Sequence, residues 1–92
     1  MKKDTTRRIG IYARAIAKWG KEAQFDMVIE ECSELIKEIC KRKRGKKNDL
    51  EILEEIADVT IMIGQVIFIL GLENKFGDVI ENKLNRLEEL LK

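Results

Sequence analysis

Histidine is absent from the 92-residue chain, and that absence removes a large share of enzyme chemistry. A Ser-His-Asp or Cys-His nucleophile system, an HExxH zinc site and the Glu-x-x-His motif of di-iron bundles all need an imidazole. Any catalysis must rest on carboxylates, metals or lysines. Proline is absent too and glycine occurs only six times, so helix breakers are scarce. No apolar run reaches the ~18 residues that a membrane span needs. The basic opening MKKDTTRRIG has no apolar segment behind it of the kind a signal peptide carries. Cys32 and Cys40 lie eight apart in one predicted helix, about 12 Å of rise, too far to bridge. Both are expected as small buried apolar residues in a reducing, cytoplasmic setting. An excess of one charge is missing as well: 18 Lys+Arg stand against 17 Asp+Glu, which leaves no global electrostatic case for nucleic acid or an anionic membrane.

What the chain has in quantity is charge, at 38% of residues, interleaved with apolar residues at helical spacing, a composition of all-α proteins. Its length makes residues 1–92 a single domain near the lower limit for an independent core. Four helices are expected. The first starts near Asp4 to Thr6 as N-cap and runs to about Lys18, with Ile9, Tyr12, Ala13, Ile16 and Ala17 as its stripe. Trp19-Gly20 ends or bends it. The second runs from about Lys21 to Arg42, with Val28, Cys32, Leu35 and Ile39 on its apolar face. KRKRGKKND forms a basic turn, and Asn48 with Glu51 resembles a capping box opening a third helix that reaches Leu70. Gly71 suits the position after that helix. A fourth helix begins between Glu73 and Asp78 and runs to the C-terminus. From Ile56 onward the third helix is apolar around roughly 220° of its circumference, far more than the ~100° a surface helix normally buries. A second subunit is expected to cover the excess, giving a four-helix bundle that assembles as a homodimer or homotetramer.

Two acidic pairs stand out within this frame. Glu31 and Glu34 in EECSEL, and Glu55 and Asp58 in EEIADV, are each three residues apart, so each pair points two carboxylates from one helix face. They sit at the border of the apolar stripe, whereas a solvated acidic face would lie opposite it. A hairpin of the two helices brings four carboxylates together, where their repulsion calls for a positive charge between them, best supplied by a divalent cation.

Glu31-Cys-Ser-Glu34, twenty intervening residues and Glu55-Ile-Ala-Asp58 together resemble the ExxE…ExxD signature of the MazG-like all-α nucleoside triphosphate pyrophosphohydrolases. These are relatives of the dimeric dUTPases and dCTP pyrophosphatases. The resemblance covers about Trp19 to Leu91. It implies that Glu31, Glu34, Glu55 and Asp58 are Mg²⁺ ligands and that Lys83 and Arg86, in NKLNRLEE, contact the triphosphate. Many relatives carry an asparagine four residues after that lysine, where this chain has Leu87, and an aromatic four residues after the aspartate, where it has Met62. Hard carboxylate oxygens suit Mg²⁺, or Mn²⁺, on chemical grounds as well. Among the crowded carboxylates Glu30 and Glu34 are the candidate general bases. Trp19 and Gln24, shortly before the first pair, are candidates for contact with the base.

The expected activity is Mg²⁺-dependent hydrolysis of a nucleoside triphosphate, standard, deoxy or modified, to the monophosphate and pyrophosphate. The alternative is a non-catalytic helical interaction module whose acidic cluster is a vestigial or regulatory metal site.

Overall fold

The computed structural model describes residues 2–92, with side chains from Thr5 onward. Four helices follow one another: α1 (Lys2–Trp19), α2 (Lys21–Lys43), α3 (Asp49–Leu70) and α4 (Glu73–Leu90). No strand interrupts them among the described residues. The breaks fall at glycines with positive φ, a conformation that a side chain disfavours: Gly20 at 87° between α1 and α2, Gly45 at 98° in the basic turn and Gly71 at 67° after α3. Gly71 closes α3 in the left-handed conformation, its N–H donating to Phe68 O while Leu72 N–H reaches Ile67 O. No helix is long and apolar enough to cross a membrane among the described residues.

α2 and α3 form the antiparallel hairpin on which the rest is mounted, and α1 lies against both. Tyr12 of α1 is buried over Gly64 of α3, where a Cβ would come within 2.9 Å of the phenol ring carbons. Among the described residues α4 touches α3 alone, and every one of its residues is exposed. The radius of gyration, 15.7 Å, exceeds the ~12 Å of a compact chain of this length. The four helices therefore do not close into one bundle within a single copy.

Burial is inverted relative to a normal small domain. Among the described residues only Tyr12 and Met62 are buried apolar side chains of any size, while Gln24, Asn48 and Gln65 are buried polar ones. The apolar stripe expected to seat α2 is only partly covered: Val28, Cys32 and Leu35 are half-buried and Ile39 is 44% exposed, while Ile29 and Ile36 beside it are 70% and 62% exposed. Cys32 is half-buried and Cys40 exposed, contrary to the expectation that both are buried. The reason is the α2–α3 contact, which uses the border positions carrying Gln24, Glu31 and Glu38, seven residues apart and so on one line of the helix. Periodicity identified a common face but not which face meets a neighbour.

Asn48 departs from the sequence reading in an informative way. It occupies the N-cap position of α3, yet its side chain makes no cap hydrogen bond. Its Nδ2 donates instead to the Glu38 backbone carbonyl at 2.9 Å and to Glu38 Oε1 at 2.8 Å, and the side chain is wholly buried. The capping box with Glu51 is therefore not formed. The asparagine is a clasp between the end of α2 and the start of α3, reinforced by the Lys41–Glu38 pair at 3.2 Å and an Arg42–Asp49 ion pair across the turn. Replacing Asn48 by alanine strands the Glu38 groups it serves, and a loss of about 1–3 kcal/mol in urea denaturation is expected. In a double-mutant cycle with Glu38→Ala the two losses should be sub-additive. Full additivity would mean that Asn48 acts only on its own helix.

Candidate metal centre

Because the two helices run antiparallel and are clasped at the turn, the middle of α2 faces the middle of α3. Glu31 from α2 meets Glu55 and Asp58 from α3, and one carboxylate oxygen from each lies within 4.8 Å of the others. Glu31 and Glu55 are half-buried and Asp58 is exposed. Three like charges at this separation repel strongly, and the effect is visible on the two glutamates. Partial burial, then the charges of Asp58 and Glu55, a hydrogen bond with Asp58 and the charge of Glu30 hold the Glu31 pKa above its ordinary 4.5. Burial, then Asp58, Glu34, Glu38 and Glu54, raise Glu55 in the same way. Glu38 goes the other way: its hydrogen bonds from Asn48 and Lys41 keep it below 4.5.

The donor set fits a hard divalent cation. All three groups present oxygen, and oxygens about 3–4 Å apart surround Mg²⁺ at its preferred bond length. Glu55 Oε2 is buried with no hydrogen-bond partner among the described residues, a cost that folding rarely tolerates without a partner of another kind. Softer metals have nothing to hold, with no histidine in the chain and no thiol in the triplet.

The remaining sequence-predicted residues are placed as follows. Glu34 is exposed on α2, outside the triplet but close enough to Glu55 to push its pKa up. Glu30 is exposed beside Glu31, its backbone carbonyl accepting from Ser33 Oγ at 2.7 Å. Gln24 is buried on α2. Trp19 is 60% exposed, with Lys18 Nζ 5.3 Å from its ring centre. Lys83 and Arg86 are exposed on α4, a helix that does not touch α2, so one copy of the chain does not bring them against the Glu31 side of the cluster. Gln65, which in sequence marks the polar strip of the third helix together with Glu55 and Asp58 but was given no role in the site, is buried on α3 two turns beyond Asp58. An amide inside a long apolar run was the signal for it.

Searches for related sequences and structures return nothing: no protein-family model matches the chain, and neither do curated proteins or solved structures.

Crowded carboxylates give the metal-free protein a distinctive pH profile. A carboxylate with a raised folded-state pKa adds stability that is fully present below its unfolded value and is lost as pH rises through the folded one. For Glu31 and Glu55 that loss occurs above 4.5. The contribution of Glu38 is present above 4.5 and is lost as pH falls through its depressed value. Thermal melts in a chelator should therefore rise from neutral pH toward about pH 5 and fall at more acid pH. Asp58→Asn should flatten the first limb and melt at or above wild type at neutral pH. A flat wild-type limb, or an Asp58→Asn protein melting well below wild type, would mean that the three groups do not crowd one another in solution.

Proposed function

We propose that the chain is a Mg²⁺-dependent nucleoside triphosphate pyrophosphohydrolase of the MazG-like kind, releasing a nucleoside monophosphate and pyrophosphate. The observation that carries the reading is the convergence of Glu31 of the ExxE pair with both acids of the ExxD pair, Glu55 and Asp58, into one cluster of oxygens that repel unless a cation joins them. Glu31, Glu55 and Asp58 would hold the ion, with Glu34 one turn away on the same face. Bound Mg²⁺ would neutralise phosphate oxygens and fix a water in line with the bond to be cut. Glu30 and Glu34, both in contact with solvent and not both needed as ligands, are placed to accept a proton from the attacking water. Lys83 and Arg86 would add charge to the phosphates once α4 is brought nearer, and assembly is the natural means.

Assembly is part of this proposal, and the inverted burial supports it. Large apolar side chains on α2, α3 and α4 stand in water, and each forfeits roughly 1.5–3 kcal/mol of available burial. Ile61, Ile63 and Leu70 of α3 and the Val79, Ile80, Leu84 and Leu87 stripe of α4 are all more than 40% exposed. A homodimer or homotetramer that packs these surfaces together gives so small a chain the core it lacks alone.

Incubation with a panel of nucleoside triphosphates and Mg²⁺ should release pyrophosphate, and a chelator should stop it. Asp58→Asn should cost more than the roughly 10- to 100-fold that loss of a supporting residue around a metal costs. No release from any nucleotide would leave a helical interaction module with an acidic metal site as the better reading. Sedimentation of the wild type at micromolar concentration should show a dimer or larger, and Ile63→Glu should lose assembly and stability together. A well-folded wild-type monomer would overturn the assembly.

A further inference from the structure

Gln24 and Gln65 are 4% and 5% exposed, and the geometry of the hairpin sets them against each other. Glu31 meets Asp58 across the α2–α3 seam. Seven residues back along α2 is Gln24, and seven residues on along α3 is Gln65. In an antiparallel pair both steps lead in the same direction, by two turns or about 10 Å, and return to the same face.

Two primary amides in register are self-complementary, since each carries a donor and an acceptor. If their task were to lock the helices they would bond each other. They do not. Gln65 Nε2 donates only to Met62 Sδ, at 3.6 Å, and its Oε1 is buried without a partner. No hydrogen bond from the Gln24 side chain is present among the described residues. At the other end of the seam Asn48, with the same functional group, does bond across it. One end of the hairpin is therefore fastened by its amide Nδ2, although the Asn48 Oδ1 is itself buried without a partner. At the other end the Gln65 Oε1 is buried and unpaired and no bond crosses the seam among the described residues, a state buried polar groups seldom keep.

We propose that Gln24 and Gln65 are the nucleobase-reading end of the site: a bound nucleotide lies along the seam with its base on the two amides and its phosphates at Glu31, Glu55 and Asp58. This rests on the nucleotide reading given above and adds residues for specificity to it. The spacing suits it, because two helical turns match the reach of a sugar and base beyond the α-phosphate. The polarity suits it as well. The cations of the 41–47 turn lie at the clasped end, so the charged tail points there and the base points away. Amides read base edges through paired donor and acceptor contacts. Met62 lies between Asp58 and Gln65, buried, unbranched and able to change rotamer at little cost. Its displacement by an entering base frees the Gln65 donor that it now engages. Gln65 acts as a binding residue in this arrangement and takes no part in the bond cleavage.

The test measures binding of the Mg²⁺ complexes of the α,β-imido analogues of the four common nucleoside triphosphates, with inorganic tripolyphosphate as a ligand that has no base. Wild type, Gln24→Met and Gln65→Met are compared by calorimetry, methionine keeping the length of the side chain without the amide. Wild type should favour one base over the least favoured by at least about tenfold. In Gln65→Met that ratio should fall below about threefold, through weaker binding of the favoured nucleotide, with tripolyphosphate affinity unchanged. A base preference that survives in both variants, or a wild type with none, overturns the proposal. If the preference survives while both variants melt well below wild type, the amides are an internal lock bridged by water. Base-selective binding without pyrophosphate release would remove the hydrolase reading and leave this one standing. Release with base preference intact in both variants would do the reverse.

Discussion

Repulsion among the carboxylates between α2 and α3 is the constraint that shapes this protein. A helical hairpin is ordinarily held by the apolar faces of its two helices, but here the seam runs through amides, acids and one methionine. Charge is thereby concentrated where a small domain would place leucine. The clasp of Asn48 on Glu38 and the Arg42–Asp49 ion pair across the turn hold the helices together against that repulsion at the turn end. The arrangement is unfavourable for a structure meant only to be stable, and reasonable for one that waits for a cation and an anionic ligand.

Placing the polar residues inside forces the apolar ones out. Where α1 does not cover them, α2 and α3 leave apolar side chains in solvent, and α4, amphipathic along its whole length, has no neighbour except α3 among the described residues. The carboxylate cluster and the exposed apolar faces are consequences of a single choice of seam. A chain this short cannot both line a carboxylate site and bury its own isoleucines. In the assembly proposed above, a second copy reconciles the two requirements.

Much of this could be read from the sequence, for reasons that differ by feature. The helices and their breaks were legible because Gly20, Gly45 and Gly71 do locally what few other residues do, and because no proline disturbs the periodic runs. The acidic pairs were legible because spacings of three on a helix survive any tertiary arrangement. Asn48 was misread as a cap: capping logic knows the residues that follow, and the Glu38 carbonyl arrives from ten residues before. The α2 stripe was legible in part, since Val28, Cys32 and Leu35 are half-buried and Ile39 is exposed: an apolar face says that it will be covered without saying by what. Gln65 was legible only as part of the polar strip of the third helix with Glu51, Glu54, Glu55 and Asp58, and its place in the site shows only in the structure, where its acceptor is buried and unpaired.

The clasped turn also bears on how the chain acquires its structure. Residues 44–48 join two consecutive helices, and a helical hairpin closed by a short turn is among the topologies that form quickly. The hairpin can therefore complete itself while the fourth helix is still emerging from the ribosome, well before a second copy is within reach. For that interval the isoleucines of both helices face solvent. In the proposed assembly local order would arrive early and burial late, so the rate at which two nascent chains meet, rather than the rate at which either folds, would govern how much of this protein reaches its final form and how much is lost to indiscriminate association.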